Sequence, residues 1–271
     1  MDRSLYINEA KGLEVVRDGP SLMVKEKGKA NQRIPVRLIG RVFITGNIKL
    51  EAGVFTLLAE NQIPVTLMGM SGGNTAVCLP YNHHLPQHYE KQKVFLETEE
   101  NASRFRAFCV LWRKRFQIDV IQYIANKNTL LKEGFKESDY RQLTSKYFTG
   151  YEKPIKFVIE TITNLFRGLI IERLVKAKLD PHIGVVNRRR NFGFAMDISY
   201  ILCPEIDLQC IIFLEYRKSI NGDIKHIQIS EAATGLKKNI VHIYEDRRKR
   251  VTEQIELIID GLFDLMRELG A

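Results

Sequence analysis

The chain has 271 residues, of which 45% are apolar and 27% charged, and it carries 41 Lys and Arg against 32 Asp and Glu, a formal net charge of +9. That is room for one large domain or two smaller ones, and the balance is that of a folded globular protein with an anionic partner. The longest uncharged apolar runs fall far short of the roughly 18 residues a membrane span needs, and MDRSLYINEAKGL has no signal-peptide core, so a cytoplasmic protein without membrane association is expected.

Up to about residue 82 the pattern is short and strand-like. SLYIN, LEVVR, SLMVKE, RIPVRLI and GRVFITG are separated by Gly, Pro, Asn or charged turns. Residues 47–61 change period, with Leu50, Val54, Leu57 and Leu58 on one helical stripe. IPVTLMG reads as a buried strand, and MSGGNTAVCLP as a glycine turn and a last strand. Ser71-Gly72-Gly73 lacks the helix and lysine of a phosphate loop and reads as a plain turn. These strands are too short for a Rossmann unit and predict a small mixed sheet with one helix.

The proline-bounded PYNHHLP marks a domain boundary. His83, His84 and His88 have no acidic or cysteine companion and read as surface histidines of a linker. Beyond it, residues 94–126 and 155–178 show i, i+3, i+4 apolar spacing, broken at 134–138 and 151–154. Residues 224–229 alternate as a short strand or hairpin arm would, and 253–269 read as a closing amphipathic helix. The fold class is α+β: an N-terminal β-rich dimerisation domain over 1–82, a linker over 83–90, and a larger, mostly all-α domain over 91–271. Cys78, Cys109, Cys203 and Cys210 lie at no metal-ligand spacing and read as reduced core thiols.

The positive excess is clustered. Arg104, Arg106, Arg113, Lys114 and Arg115 have no acid among them, and Arg167, Arg173, Lys176, Lys178, Arg188, Arg189 and Arg190 face only Glu172 and Asp180. Arg247, Arg248, Lys249 and Arg250 make a third cluster. Each could be a solvated helix face, but three clusters together point to nucleic acid. The best candidates for DNA contact are Arg188, Arg189 and Arg190, with Arg113, Lys114 and Arg115. Trp112 reads as a core tryptophan, its alternative being a base-stacking platform.

One stretch carries the most chemistry: LDPHIGVVNRRRNFGFAMDISYILCPEID, residues 179–207. An apolar segment ends at Leu179, Pro181 and Gly184 make a turn, and Asn187 precedes three arginines. A second apolar segment then carries Asp197 into a buried face. A carboxylate beside a basic loop is how a protein would present a metal ion to a phosphate.

Taken in order, these motifs resemble the integrase subunit of CRISPR spacer acquisition over nearly the whole length. IGRVFITGNIKLEAGVFTLLAENQIPVTLMGMSGG is similar to that family's strand–helix–strand–glycine-turn pattern. Leu179-Asp180-Pro181 with Gly184 resembles its LDP turn, and Asp197-Ile198 with Pro204 and Asp207 resembles the helix that follows. Tyr147-Phe148 resembles an aromatic pair after the catalytic glutamate. The resemblance implies a homodimer through the β-domain, a small ferredoxin-like CRISPR adaptation subunit as partner, DNA as substrate, and Mg²⁺ or Mn²⁺ held by Glu, His and Asp for strand transfer or endonuclease chemistry.

Carried over residue by residue, the aspartate is kept as Asp197, the one expected metal ligand. The histidine position is Asn187 and the glutamate position is Tyr140, with Glu137 one turn away as a possible substitute. Tyr200, Cys203, Lys156 and Thr163 stand at other departures, and His182 reads as a turn residue. An amide and a phenol, both neutral at pH 7, are poor partners for a hard cation. The preferred expectation is a DNA-binding subunit impaired in strand transfer, working beside a catalytically intact family member. The alternatives are an active metal-dependent integrase and an unrelated basic nucleic-acid-binding protein.

Overall fold

The computed structural model describes residues 3–70, 75–80, 85–124, 134–220 and 229–271. The chain divides at His84 and Leu85 into two units. In the first, the strands are β1 (Arg3–Asn8), β2 (Glu14–Asp18), β3 (Ser21–Lys25), β4 (Gln32–Pro35), β5 (Ile39–Thr45), β6 (Lys49–Leu50), β7 (Val65–Met68) and β8 (Thr75–Cys78), with helix α1 (Ala52–Glu60) between β6 and β7. They form two four-stranded sheets, β1-β5-β7-β8 and β4-β3-β2-β6, where the sequence predicted one. Strands β1, β5 and β7 run parallel and β8 is antiparallel to β7.

β5 lies between β1 and β7 and is buried at every residue, Arg41 and Thr45 included. Both sheets and α1 share one core that includes Val15, Leu22, Val42, Val54, Leu58 and Val65. The α1 stripe is buried at Val54, Leu57 and Leu58, as its spacing predicts. The helix starts later than the sequence period because Lys49 and Leu50 pair in parallel with Glu14 and Val15. Tertiary pairing wins over local periodicity there.

The second unit is helical: α2 (Tyr89–Glu97), α3 (Glu99–Ile124), α4 (Glu137–Phe148), α5 (Glu152–Lys176), α6 (Gly193–Ser219) and α7 (Ile229–Glu268). A mixed β unit followed by a mostly helical one is the expected α+β class. The predicted helix over 94–126 is interrupted at Thr98, whose Oγ accepts the Asn101 N–H at 3.0 Å while Asn101 Nδ2 donates to Val94 O at 2.9 Å. That exchange ends α2 and starts α3.

Helices α3, α5 and α7 all pack on α6. Phe105, Phe166, Phe194, Phe213 and Tyr244 are fully buried between them. Each such side chain contributes about 1.5–3 kcal/mol. Helix α7 starts far upstream of the predicted 253–269, and the alternating 224–228 lie outside the described residues. The stripe Ile240, Tyr244, Val251, Ile255, Ile258 and Leu262 is continuous and buried, with the charged Arg247 set among it. The charge hid the period. His88 is not the surface histidine expected, since its ring packs edge-on against Phe263 at 5.0 Å; His83, His84 and Ser71-Gly72-Gly73 lie outside the described residues.

Candidate nucleic-acid interface

The loop between α5 and α6 is held at both ends. Gln92 on α2, itself buried, donates its amide to Asp180 O at 2.9 Å and accepts the Asp180 N–H at 2.8 Å. The Asp180 carboxylate accepts the His182 N–H at 2.7 Å, and Pro181 O accepts from Phe194 and Ala195 at 3.1 Å. His182 is a turn residue, its ring tilted against that of Phe192 with centroids 4.3 Å apart. Phe192 opens α6 in the left-handed region, φ 55. Gly184 and Gly193 meet backbone to backbone: a Cβ on Gly193 would stand 2.5 Å from Asn187 O. Only glycine fits that approach.

Asp197, on the first turns of α6, is buried, and its carboxylate closes the loop from inside. Oδ2 accepts Val185 N–H at 2.7 Å and Val186 N–H at 3.1 Å. Oδ1 accepts Asn187 N–H at 3.0 Å and Asn187 Nδ2 at 2.6 Å. The three successive amides form a nest around the carboxylate. Each oxygen has both lone-pair directions in use. Asp197 and Asn187, brought together as the resemblance implies, thus bind one another.

Tyr140 and Glu137 fall in a different group, under Arg113. Tyr140 is buried and donates its hydroxyl to Asp207 Oδ2 at 2.6 Å. Burial, and then the Asp207 carboxylate, push the phenol far above its ordinary range. Burial pushes Asp207 up to about 6, against the hydrogen bond from Tyr140. Glu137 also feels burial, but bonds from Arg113, Gln117 and Arg141 hold it below the usual carboxylate range. Among the described residues no hydrogen bond joins Asp197 to Glu137 or Tyr140.

Arg113 is not the exposed cation the sequence predicted. It is buried, with Nη2 on Glu137 at 3.1 Å, Nη1 on Tyr200 O at 2.9 Å and its guanidinium over the Tyr200 ring at 4.6 Å. Pro204 explains the second bond: lacking an N–H, it leaves the Tyr200 carbonyl without its helical donor. Lys114 and Arg115 are exposed beside it, near the Phe135 and Trp112 rings respectively. Trp112 is half-buried, not a full core residue: it lies between Phe108 and Phe116 and borders Gly261 of α7.

The three clusters differ in their partners. Arg247 binds Glu205 through Nε at 2.6 Å and Nη2 at 3.0 Å; Arg248 pairs with Glu245, Lys249 with Glu253 and Arg250 with Asp119. That cluster is neutralised within the fold. By contrast, Arg188, Arg189 and Arg190 are exposed and none forms an ion pair among the described residues. Arg188 Nε donates to Val185 O at 3.0 Å, which orients its side chain along the loop. With Arg106 and residues 185–187 these arginines line an open depression of about 430 Å³.

Arg106 and Gln92 are site residues that sequence reasoning did not single out. Arg106 stood in a recognised basic cluster, but no sequence signal linked Gln92 to Asp180, 88 positions away.

No curated protein sequence matches the chain. Solved structures share its fold. The Cas1 protein TM1797 of Thermotoga maritima has a TM-score of 0.73 at 17% identity, covering 98% of this chain and 97% of that one. Cas1 in the TtCas1–DNA complex has a TM-score of 0.63 at 14% identity, covering 98% and 92%. A chain of a Cas6-RT-Cas1–Cas2 complex has a TM-score of 0.69 at 12% identity, covering 98% of this chain and 35% of that larger one. The sequence model of the family described as CRISPR associated protein Cas1 matches residues 5–147, more than half of the chain. That match removes the reading of an unrelated basic protein: the chain belongs to the Cas1 family.

Proposed function

We propose that this chain binds DNA in CRISPR spacer acquisition through the 185–190 loop, and serves there as a DNA-holding subunit instead of a metal-dependent strand transferase. One observation carries the reading: three consecutive exposed arginines, with no ion pair among the described residues, follow a loop segment whose backbone is fixed by a buried carboxylate. Fixed cations with no internal counter-ion bind backbone phosphates and release condensed counter-ions. A rigid loop also loses less entropy on binding than a mobile one.

The donor set does not fit Mg²⁺ or Mn²⁺, which need several free oxygen ligands converging on one point. Asp197 is saturated by four N–H donors, Tyr140 is committed to Asp207, and Glu137 to two arginines and a glutamine. Deprotonating the Tyr140 phenol to make it a ligand is opposed by its burial. The partners that go with this role are DNA, a second copy of the chain, the small ferredoxin-like adaptation subunit, and a catalytically intact family member.

The test is duplex and branched DNA binding in EDTA and in Mn²⁺, beside a strand-transfer assay on the branched DNA. Binding indifferent to EDTA, with no strand transfer, is expected. Mn²⁺-dependent strand transfer by the wild-type protein would overturn the reading in favour of an active integrase.

A further inference from the structure

Three helices meet around one guanidinium. Arg113 comes from α3, Glu137 and Tyr140 stand three residues apart on one face of α4, and Tyr200 and Asp207 stand seven apart on one face of α6. Arg113 Nη2 lies 3.1 Å from Glu137, Nη1 donates to Tyr200 O at 2.9 Å, and the planar group covers the Tyr200 ring at 4.6 Å. Gln117, four residues along α3, donates to the second Glu137 oxygen. Tyr140 ties α4 to α6 by donating to Asp207 Oδ2 at 2.6 Å. Two departures from the family pattern, Tyr140 and Tyr200, thus fall in the junction that encloses Arg113.

A carboxylate and a backbone carbonyl are oxygen donors that a hard divalent ion prefers. Here a guanidinium holds both. Its charge is permanent, and its N–H groups lie in a rigid fork that matches such acceptors. The phenol at Tyr140 adds no negative charge, because its burial opposes ionisation. Burial raises the Asp207 carboxyl, while the Tyr140 hydrogen bond and the Arg113 charge oppose that rise. A divalent ion entering the junction would lose the Glu137 oxygen to Arg113 and be repelled by a buried charge that cannot deprotonate.

We propose that Arg113 is the resident cation of this chain: its guanidinium takes the oxygen donors that a divalent ion would otherwise use between α3, α4 and α6, and so keeps metal out of the junction. The proposal rests on the reading of the chain as a metal-independent DNA-holding subunit. It assigns the cause of that independence to one residue, and it makes metal exclusion a property that one substitution reverses.

The experiment compares wild type, Arg113→Met, and Arg113→Met with Glu137→Gln, by melting temperature in EDTA and in Mn²⁺. Wild type is expected to melt at the same temperature in both. Arg113→Met should melt lower in EDTA and recover about 3–5 °C in Mn²⁺ at tenfold excess over its dissociation constant. The recovery should vanish when Glu137→Gln is added. A folded Arg113→Met that ignores Mn²⁺ overturns the proposal. A second measurement needs no Arg113 variant: the electron paramagnetic resonance signal of free Mn²⁺ in the presence of wild type or Glu137→Gln. Equal signals are expected. A signal depleted by wild type and restored by Glu137→Gln overturns the proposal, since metal would then enter beside Arg113. The DNA reading fails on separate results, an absence of DNA binding by wild type or Mn²⁺-dependent strand transfer.

Discussion

The guanidinium of Arg113 donates to the backbone carbonyl of Tyr200 at 2.9 Å, the acceptor that Pro204 leaves vacant in α6. A proline inside a buried helix is tolerated because a side chain from another helix replaces its missing donor. Arg113→Met should destabilise the protein by about 2–4 kcal/mol, since Glu137 and the carbonyl both lose a charged donor. In a Pro204→Ala background, where the helical N–H is restored, the cost should shrink by about 1 kcal/mol. Chemical denaturation of the four proteins measures this; equal costs in both backgrounds would show that the carbonyl does not depend on Arg113.

Asp197 acts on the loop backbone, so its removal should be felt as instability. Asp197→Asn turns one acceptor into a donor facing N–H groups and should cost about 2–4 kcal/mol. DNA affinity should fall with the ordering of the loop, and by the same factor in EDTA and in Mn²⁺. A variant of wild-type stability that loses only a Mn²⁺-dependent property would contradict this role.

The two arginine clusters make opposite predictions. Arg247→Met strands the buried Glu205 and should cost about 3–5 kcal/mol, with Glu205→Leu in the same chain recovering most of it. Its DNA salt slope should match wild type. Replacing Arg188 and Arg189 by glutamine should leave stability nearly unchanged and lower the slope by about two. Fluorescence anisotropy at several salt concentrations, paired with melting curves, separates the two cases.

Asp207 makes stability depend on pH in an unusual direction. Its carboxyl titrates near 6 in the folded protein, above the ordinary 3.8. Between those values the folded state holds the proton more tightly than the unfolded one, so this group's contribution falls as pH rises. The loss is complete above about 6 and amounts to about 3 kcal/mol. Asp207→Asn keeps an acceptor for Tyr140 and should gain stability at pH 8, with the gain vanishing towards pH 4. A gain independent of pH would show that the Asp207 charge is not its cause.

The α+β class, the break near residue 84, the buried α1 stripe and the LDP turn were legible from local pattern, because periodicity and turn residues act over a few positions. The end of α7 was found but not its beginning, since Arg247 interrupts the apolar stripe it belongs to. The two-sheet arrangement was missed because the pairing of Lys49 and Leu50 with β2 is non-local. For the site, sequence placed Asp197 beside the arginine loop, and the structure joins Asn187 to Asp197 and Tyr140 to Asp207 instead.

What sequence alone determined is the family and the excess of positive charge. Which charges are available was decided only by tertiary structure. Arg113 and Glu137 are 24 residues apart, Arg247 and Glu205 are 42, and each pair closes when helices pack. Residues 188–190 are exposed and form no ion pair among the described residues, and Asp197 binds the loop backbone just before them at 185–187. A charge is neutralised by what lies within about 4 Å, and that distance is set by packing, not by order along the chain.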